Sequence, residues 1–250
     1  MKVIAVNGIS KSGKTTICET IIKGLRARGY TVGSVKEIHF ESFKIDPNPS
    51  SNTNRHSAAG AQLVTARGMA ETDILYPYTL SIEDILKHYD HDYVILEGVT
   101  DCNAPRIITA HNEDEVKERI DGRAILASGV IANSGVEEIA GLPVINALAN
   151  PNELIDFVVD NAFEPLPSFD PECCSECGYS CRELAGLIAN KKATIEQCVL
   201  SSPDIELKID GYNIDMVPFV QKILKNAILG IASELSGFNK NSEIEIRFKS

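Results

Sequence analysis

The segment Gly8-Ile9-Ser10-Lys11-Ser12-Gly13-Lys14-Thr15 constrains this chain more than any other. It fits G-x-x-x-x-G-K-[ST], a phosphate-binding loop pattern. Its context fits too. Lys2-Val3-Ile4-Ala5-Val6 is a short apolar run that reads as a buried strand, and Ile17, Thr20, Ile21, Gly24 and Leu25 follow at helical spacing. Gly8 and Gly13 let the backbone turn tightly and approach an anion without a Cβ in the way. The loop amides and the helix N-terminus then point at phosphate oxygens. The candidate nucleotide loop therefore comprises Gly8, Ser10, Lys11, Ser12, Gly13, Lys14, Thr15 and Thr16. Lys14 is expected to reach the β/γ-phosphates and to act in catalysis, and the Thr15 hydroxyl to bind Mg²⁺. Lys11 and Ser12 occupy variable positions of the pattern.

A P-loop needs a sheet, and the next 150 residues supply one. The helix runs from about Lys14 to Arg28, with Gly29 as its C′ residue. Thr31 to Ile38 reads as the second strand. Lys36 sits at its carboxyl end, the side on which open α/β sheets bind ligands, so it is a candidate for an anion. Residues 41–57 lack periodicity and form a loop carrying Asp46, Arg55 and His56. Leu63–Ala66 and Asp73–Tyr76 read as short strands, and Ser81 opens a short helix with a capping-box-like pattern.

Asp92-Tyr93-Val94-Ile95-Leu96-Glu97 is an apolar run ending in an acid. An acid at a strand's carboxyl end can bind Mg²⁺ or orient an attacking water, which makes Glu97 a catalytic and metal candidate. Pro105–Thr109 is another strand, with an antiparallel hairpin around 105–110 as one option. Ala124–Ala127 and Pro143–Asn146 read as buried strands, and Asn152–Ala162 as a helix. Strands alternating with helices predict an α/β P-loop NTPase fold with a mostly parallel sheet covered by helices. No N-K-x-D or T-K-x-D run is present, so the base is not readable from motif alone.

A second informative stretch lies beyond a Pro-rich linker at 165–172. Cys174, Cys177, Cys181 and Cys198 have the spacing C-x2-C-x3-C-x16-C, with Cys173 able to replace Cys174. Four thiolates can hold a [4Fe–4S] cluster or a structural zinc. A single C-x-x-C favours iron–sulfur over zinc, and redox or unliganded thiols are the remaining reading. Cys18 and Cys102 read as buried core thiols. The division predicted is a nucleotide domain at 1–164, the linker, a four-cysteine motif at 173–203 and a ββαβ tail at 204–250. Together the last two form a small Cys-rich α+β module. In the tail, Asp210-Gly211 marks a hairpin. Pro218 starts a helix read as a core helix that is also broad enough for a dimer or partner face. Gly237 is its C′ residue, and Ile244, Ile246 and Phe248 form a last strand.

The 250 residues are 44% hydrophobic with a net charge of -11, which argues against an open basic groove for nucleic acid. No membrane span and no signal-peptide pattern are read, so the expected location is cytoplasmic.

The P-loop, Lys36, the Arg55-His56-(x)3-Gly60-Ala61 stretch and Leu96-Glu97-Gly98 together resemble the MobB family, over about residues 1–165. One departure is a single histidine near His39 where that family often shows two. The Cys174–Cys198 stretch is similar to a small four-cysteine [4Fe–4S] domain, with a third gap one residue shorter than its common form. The first resemblance implies GTP and Mg²⁺ binding with weak hydrolysis, in molybdopterin-guanine dinucleotide (molybdenum or tungsten cofactor) biosynthesis or delivery. It implies Lys36, Asp46 and Arg55 lining the anion site, and a homodimer. The implied partners are the molybdopterin cofactor and a MobA-like guanylyltransferase or a Mo/W apo-enzyme. Two other readings are a P-loop kinase of a small metabolite and a non-catalytic, nucleotide-dependent adaptor for a metalloenzyme.

Overall fold

Strand β1, Lys2–Gly8, is apolar on both sides. Val3 and Ala5 join one buried cluster, Ile4 and Val6 another. A strand without a polar face needs cover on both faces of its sheet. The structure is a computed structural model that describes residues 1–40, 43–170, 172, 174, 176–201, 205–209, 212–214, 216–239 and 244–246. In it β1 is the central strand of a five-stranded parallel sheet. The order is β2 (Val32–Lys36), β5 (Tyr93–Glu97), β1, β6 (Arg106–Thr109) and β7 (Ala124–Ser128). On one face lie helix α1 (Lys14–Ala27), with Ile17, Ile21 and Leu25, and α5 (Pro151–Asn161), with Leu154, Ile155 and Val158. The other cluster is closed by Ile82 and Leu86 of α3 (Ile82–Leu86), whose N-cap Ser81 accepts from the Asp84 N–H. Each fully buried aliphatic side chain contributes roughly 1.5–3 kcal/mol. The α/β fold and mostly parallel sheet expected from the sequence are therefore present.

Some boundaries and pairings differ from expectation. Strand β6 lies between two parallel neighbours, which excludes a hairpin at 105–110. The run at 143–146 is not a full strand. Val144 makes one parallel bridge to Ala127, while β9 (Leu142–Pro143) pairs antiparallel with β8 (Glu138–Ile139). Pro143 has no N–H to donate to a ladder. Strands β3 (Val64–Arg67) and β4 (Thr72–Leu75) form their own antiparallel hairpin, apart from the main sheet. The loop before it contains α2 (Asn52–Ala58), capped by Ser51.

The linker does not hang free. Phe163 bridges Val3, Leu166 bridges Asn103, and the Asn103 side chain donates to the Pro167 carbonyl at 2.9 Å. Helix α6 (Cys181–Ala189) opens with a capping box between Ser180 and Glu183. Its Leu184 and Ala185 form a small core with Leu166 and Cys198. Farther on, β10 (Lys208–Ile209) pairs antiparallel with β11 (Tyr212–Asn213); the Asp210-Gly211 turn lies outside the described residues.

Helix α7 (Pro218–Ala232) starts at Pro218 as expected but has no buried residue, which corrects its reading as a core helix. One side of it, with Leu224, Ile228 and Leu229, is half-buried. Gly237 follows the C-cap Ser233 by four positions, so it does not cap this helix. Ile244 and Ile246 carry no strand assignment, and Phe248 lies outside the described residues. Among the described residues, no helix is long and apolar enough to cross a membrane.

Candidate functional site

The carboxyl end of the sheet carries the site. Strand β1 ends at Gly8 beside Thr109 of β6. A Cβ on Gly8 would stand 2.1 Å from the Thr109 carbonyl oxygen, and Gly13 adopts φ 102 at the α1 N-cap, so both positions require glycine. The loop is fixed from behind. Ser12 is fully buried; its hydroxyl donates to the Ile9 carbonyl at 2.8 Å and pairs with the Thr109 hydroxyl at 2.7 Å. Its carbonyl accepts from the Val130 N–H at 3.0 Å. The Ser12 side chain is thus a brace for the loop, turned away from the mouth. Lys11 sits at φ 62, and its carbonyl is 3.2 Å from Nε2 of His111, whose Nδ1 is 3.0 Å from the carboxylate of Glu115 in helix α4 (Glu113–Lys117).

The resulting hollow has a volume of about 350 Å³ and is lined by Ser10, Lys11, Gly13, Lys14, Thr15, Thr16, Lys36 and Glu97. Lys14 Nζ folds back to donate to the Gly8 and Ile9 carbonyls at 3.0 and 2.6 Å. Burial, reinforced by the Lys36 charge, holds the Lys14 ammonium below the usual lysine range. Glu97, at the end of β5 and 8% exposed, accepts from the Thr15 hydroxyl at 2.8 Å and from the Lys36 ammonium through the same Oε1. Two sequence segments 82 residues apart thus supply a hydroxyl and a carboxylate that already touch. An oxygen pair of this kind fits a magnesium ion, and the amide-lined turn beside it fits phosphate.

Asp46 and Arg55 do not line this hollow. The Asp46 carboxylate accepts from the Ser51 and Thr53 hydroxyls, which hold it below the ordinary carboxylate range and tie the loop to itself. Arg55 lies in α2, and so does His56.

Sequence reasoning missed a polar network behind the loop. Asn7, 3% exposed, donates to the Val99 carbonyl at 2.8 Å and accepts from Arg106 Nε at 2.8 Å. Arg106 and Arg123 both clasp Asp121 Oδ2, at 2.6 and 2.7 Å. Arg123 also donates to the Cys102 and Thr100 carbonyls, in the turn after Glu97. The available signal was a charged residue inside or beside an apolar strand run, as in Pro105-Arg106-Ile107 and Arg123-Ala124-Ile125.

Of the four cysteines, Cys198 belongs to the small core of α6, and Cys177 and Cys181 pack against it. All are free thiols; Cys174 and Cys198 are buried, Cys177 and Cys181 half-buried. Burial pushes the Cys174 thiol up, and the charges of Cys181, Cys177 and Cys198 push it further. A thiol-only donor set suits iron–sulfur or zinc. As arranged here, however, no group of three or more His, Cys, Asp or Glu side chains among the described residues is set to hold a metal ion. Cys18 and Cys102 are buried core thiols, each pushed up to about 12 chiefly by burial.

The sequence model of the family described as MobB, molybdopterin guanine dinucleotide synthesis protein B, matches residues 3–129. The chain belongs to the MobB family. A Methanocaldococcus jannaschii protein, provisionally described as a molybdopterin-guanine dinucleotide biosynthesis adapter, is 25% identical over 253 residues, covering 98% of this chain and 97% of its own. The crystal structure of Bacillus subtilis MobB superposes with a TM-score of 0.51 at 19% identity, over 65% of this chain and 99% of that one. The MobB fold thus accounts for about two thirds of the molecule. The archaeal relative extends over almost all of it, the cysteine region included.

Proposed function

We propose that this MobB-family chain takes part in molybdenum cofactor biosynthesis as a nucleotide-dependent adapter. It binds GTP with Mg²⁺ at the P-loop and hydrolyses it slowly. The observation that carries the reading is the hollow in which Lys14, Thr15, Lys36 and Glu97 meet the loop amides. Lys14 would release its own loop carbonyls and turn to the phosphates; Thr15 and Glu97 would hold the metal, which supplies charge neutralisation at the phosphates. The carboxylate of Glu97, already oriented by two donors, is then placed to accept a hydrogen bond from water. Lys36 adds a positive charge beside the same phosphates.

The family and the archaeal relative support a part in molybdopterin-guanine dinucleotide biosynthesis; the proposed partner is a MobA-like guanylyltransferase or a molybdenum or tungsten apo-enzyme, and the proposed working form a homodimer. The proposed cargo is the molybdopterin cofactor itself. The thiol set Cys174, Cys177, Cys181 and Cys198 is proposed to hold a [4Fe–4S] cluster, with zinc as the alternative; metal analysis of anaerobically purified protein separates them.

Titration calorimetry with GTP and ATP, with and without Mg²⁺, tests the nucleotide reading. Lys14→Ala is expected to weaken GTP binding by about 100-fold or more, the scale of one charge-assisted contact set lost from a phosphate site. Unchanged GTP affinity in that variant would overturn the assignment.

A further inference from the structure

One short segment holds two successive residues of the phosphate loop. Thr109, at the end of β6, pairs with the Ser12 hydroxyl, and His111 reaches the Lys11 carbonyl through Nε2 at 3.2 Å. His111 is itself fixed twice by Glu115 of α4. The Glu115 carboxylate accepts from the His111 backbone N–H at 2.8 Å and lies 3.0 Å from the ring Nδ1. Asn112, between them in sequence, caps α4 by accepting from the Glu115 N–H at 3.0 Å.

These partners decide the charge of the ring. A carbonyl oxygen and a carboxylate accept hydrogen bonds and do not donate them. A neutral imidazole has one N–H and can serve only one of the two; the doubly protonated ring serves both. The facing carboxyl is an anion: the His111 N–H and then the ring hold Glu115 below the usual carboxylate range, against the opposing effect of burial. The other charges nearby are cations. Arg119 donates to the Glu115 carbonyl at 3.0 Å, and its charge bears on Lys14 as well; Lys11 and Lys14 belong to the loop. The turn at Gly129–Ser134, which bonds the Ala110 carbonyl through the Ile131 N–H, has no ionisable side chain.

The hold on Lys11 bears on the anion site. A non-glycine residue at φ 62 persists only where its surroundings fix it. The Lys11–Ser12 peptide is trans, so a carbonyl pointing at His111 turns the Ser12 N–H the opposite way, toward Ile9. There it makes a long 3.4 Å contact with the Ile9 carbonyl, the same carbonyl that Lys14 would leave on turning to phosphate. Loop amides gathered on one side by a left-handed residue form a concavity that suits an anion.

We infer that His111 is a positioning residue for the nucleotide: an imidazolium clamped by Glu115, it fixes the Lys11–Ser12 peptide and adds a positive charge behind the loop. This rests on the nucleotide reading above. It has a direction in pH. Histidine loses its proton as pH rises through neutrality. The ring then keeps an N–H for only one of its two oxygens, so GTP affinity falls as pH rises.

Titration calorimetry with GTP and Mg²⁺ from about pH 6 to about pH 8 tests it on wild type and variants. His111→Ala should bind GTP about tenfold more weakly than wild type at the lower pH, and less than about twofold more weakly at the upper one. Protons taken up by the nucleotide itself are common to all the proteins and cancel in the ratio. His111→Gln keeps an N–H for the Lys11 carbonyl without the charge. It should fall between the other two at the lower pH and bind at least as well as wild type at the upper. Glu115→Gln, which removes the anion beside the ring, should move the fall in affinity to lower pH. A His111→Ala affinity equal to wild type, or a loss that is the same at both pH values, would overturn the role of His111 and leave the nucleotide site standing. A wild type that binds no GTP at either pH would overturn the nucleotide reading and this one with it.

Discussion

Helices α1 and α7 have nearly the same length, 14 and 15 residues, and both carry aliphatic side chains at helical spacing. Yet α1 buries Ile17, Cys18, Ile21 and Leu25, and α7 buries nothing. The difference lies in what each helix was given to cover. Helix α1 follows directly from a strand whose two faces are both apolar, so its stripe has an obligatory partner. Helix α7 follows a two-residue-strand hairpin, which offers no face of comparable width. Amphipathicity shows that a helix needs a partner; it does not show that the partner is in the same chain.

Several changes would break or sharpen that contrast. The largest effect is expected at the polar network behind the phosphate loop. Asp121→Asn leaves Arg123 and Arg106, 1 and 9% exposed in their side chains, without their shared carboxylate. Loss of a buried charge partner costs about 3–5 kcal/mol, measurable by urea unfolding. The same group gives a pH signature. Burial raises the Asp121 pKa, but the Arg123 hydrogen bonds and the Arg106 charge more than offset this, and the carboxyl ends below its ordinary range. Its stabilisation is therefore complete above the unfolded carboxylate pKa, about 3.9, and is lost as pH falls below that through the folded value. The urea midpoint of the wild type should drop over that interval by more than that of Asp121→Asn.

Next comes the direct comparison of the two helices. Ile21→Ala should cost about 2–5 kcal/mol, as for other fully buried aliphatic truncations. Ile223→Ala, measured at concentrations where the chain is a single copy, should stay within about 0.5 kcal/mol. Equal costs at both positions would end the contrast. Smaller again than the Ile21 effect is the seat of the cysteine helix. Gly186 of α6 lies against Gly122, and a Cβ there would stand 3.0 Å from the Gly122 backbone. The Asn190 side chain also donates to the Gly122 carbonyl at 2.7 Å. Gly186→Ala should cost about 1–3 kcal/mol by overpacking. Limited proteolysis should show the region after residue 165 loosened while the sheet stays protected.

The parts of the fold that were readable from the sequence are those in which one local signal dictated one outcome. Strand β1, the P-loop and α1 could be written down residue by residue, and Glu97 was found because an acid closed an apolar run. The run at 143–146 misled because apolar composition does not reveal that Pro143 lacks the donor a ladder needs. Asn7, Arg106 and Asp121 could not be paired from sequence, since the residues that clasp one another are up to 99 positions apart. Asp46 looked like an anion-site residue by resemblance, but its neighbours Ser51 and Thr53 claim its oxygens locally.

The bridge between Val3 and Phe163 has a topological consequence. It brings the start of the first strand and the exit from the last helix of the sheet to the same place, so the first unit closes on itself like a ring. A ring can be opened elsewhere. A circular permutant that joins residue 165 to residue 1 and begins in the exposed turn at Gly68–Glu71, the tip of the hairpin outside the main sheet, keeps every strand neighbour of the sheet in place. In that arrangement the nucleotide hollow would survive with the cysteine region cut away, and the two could be studied as separate molecules.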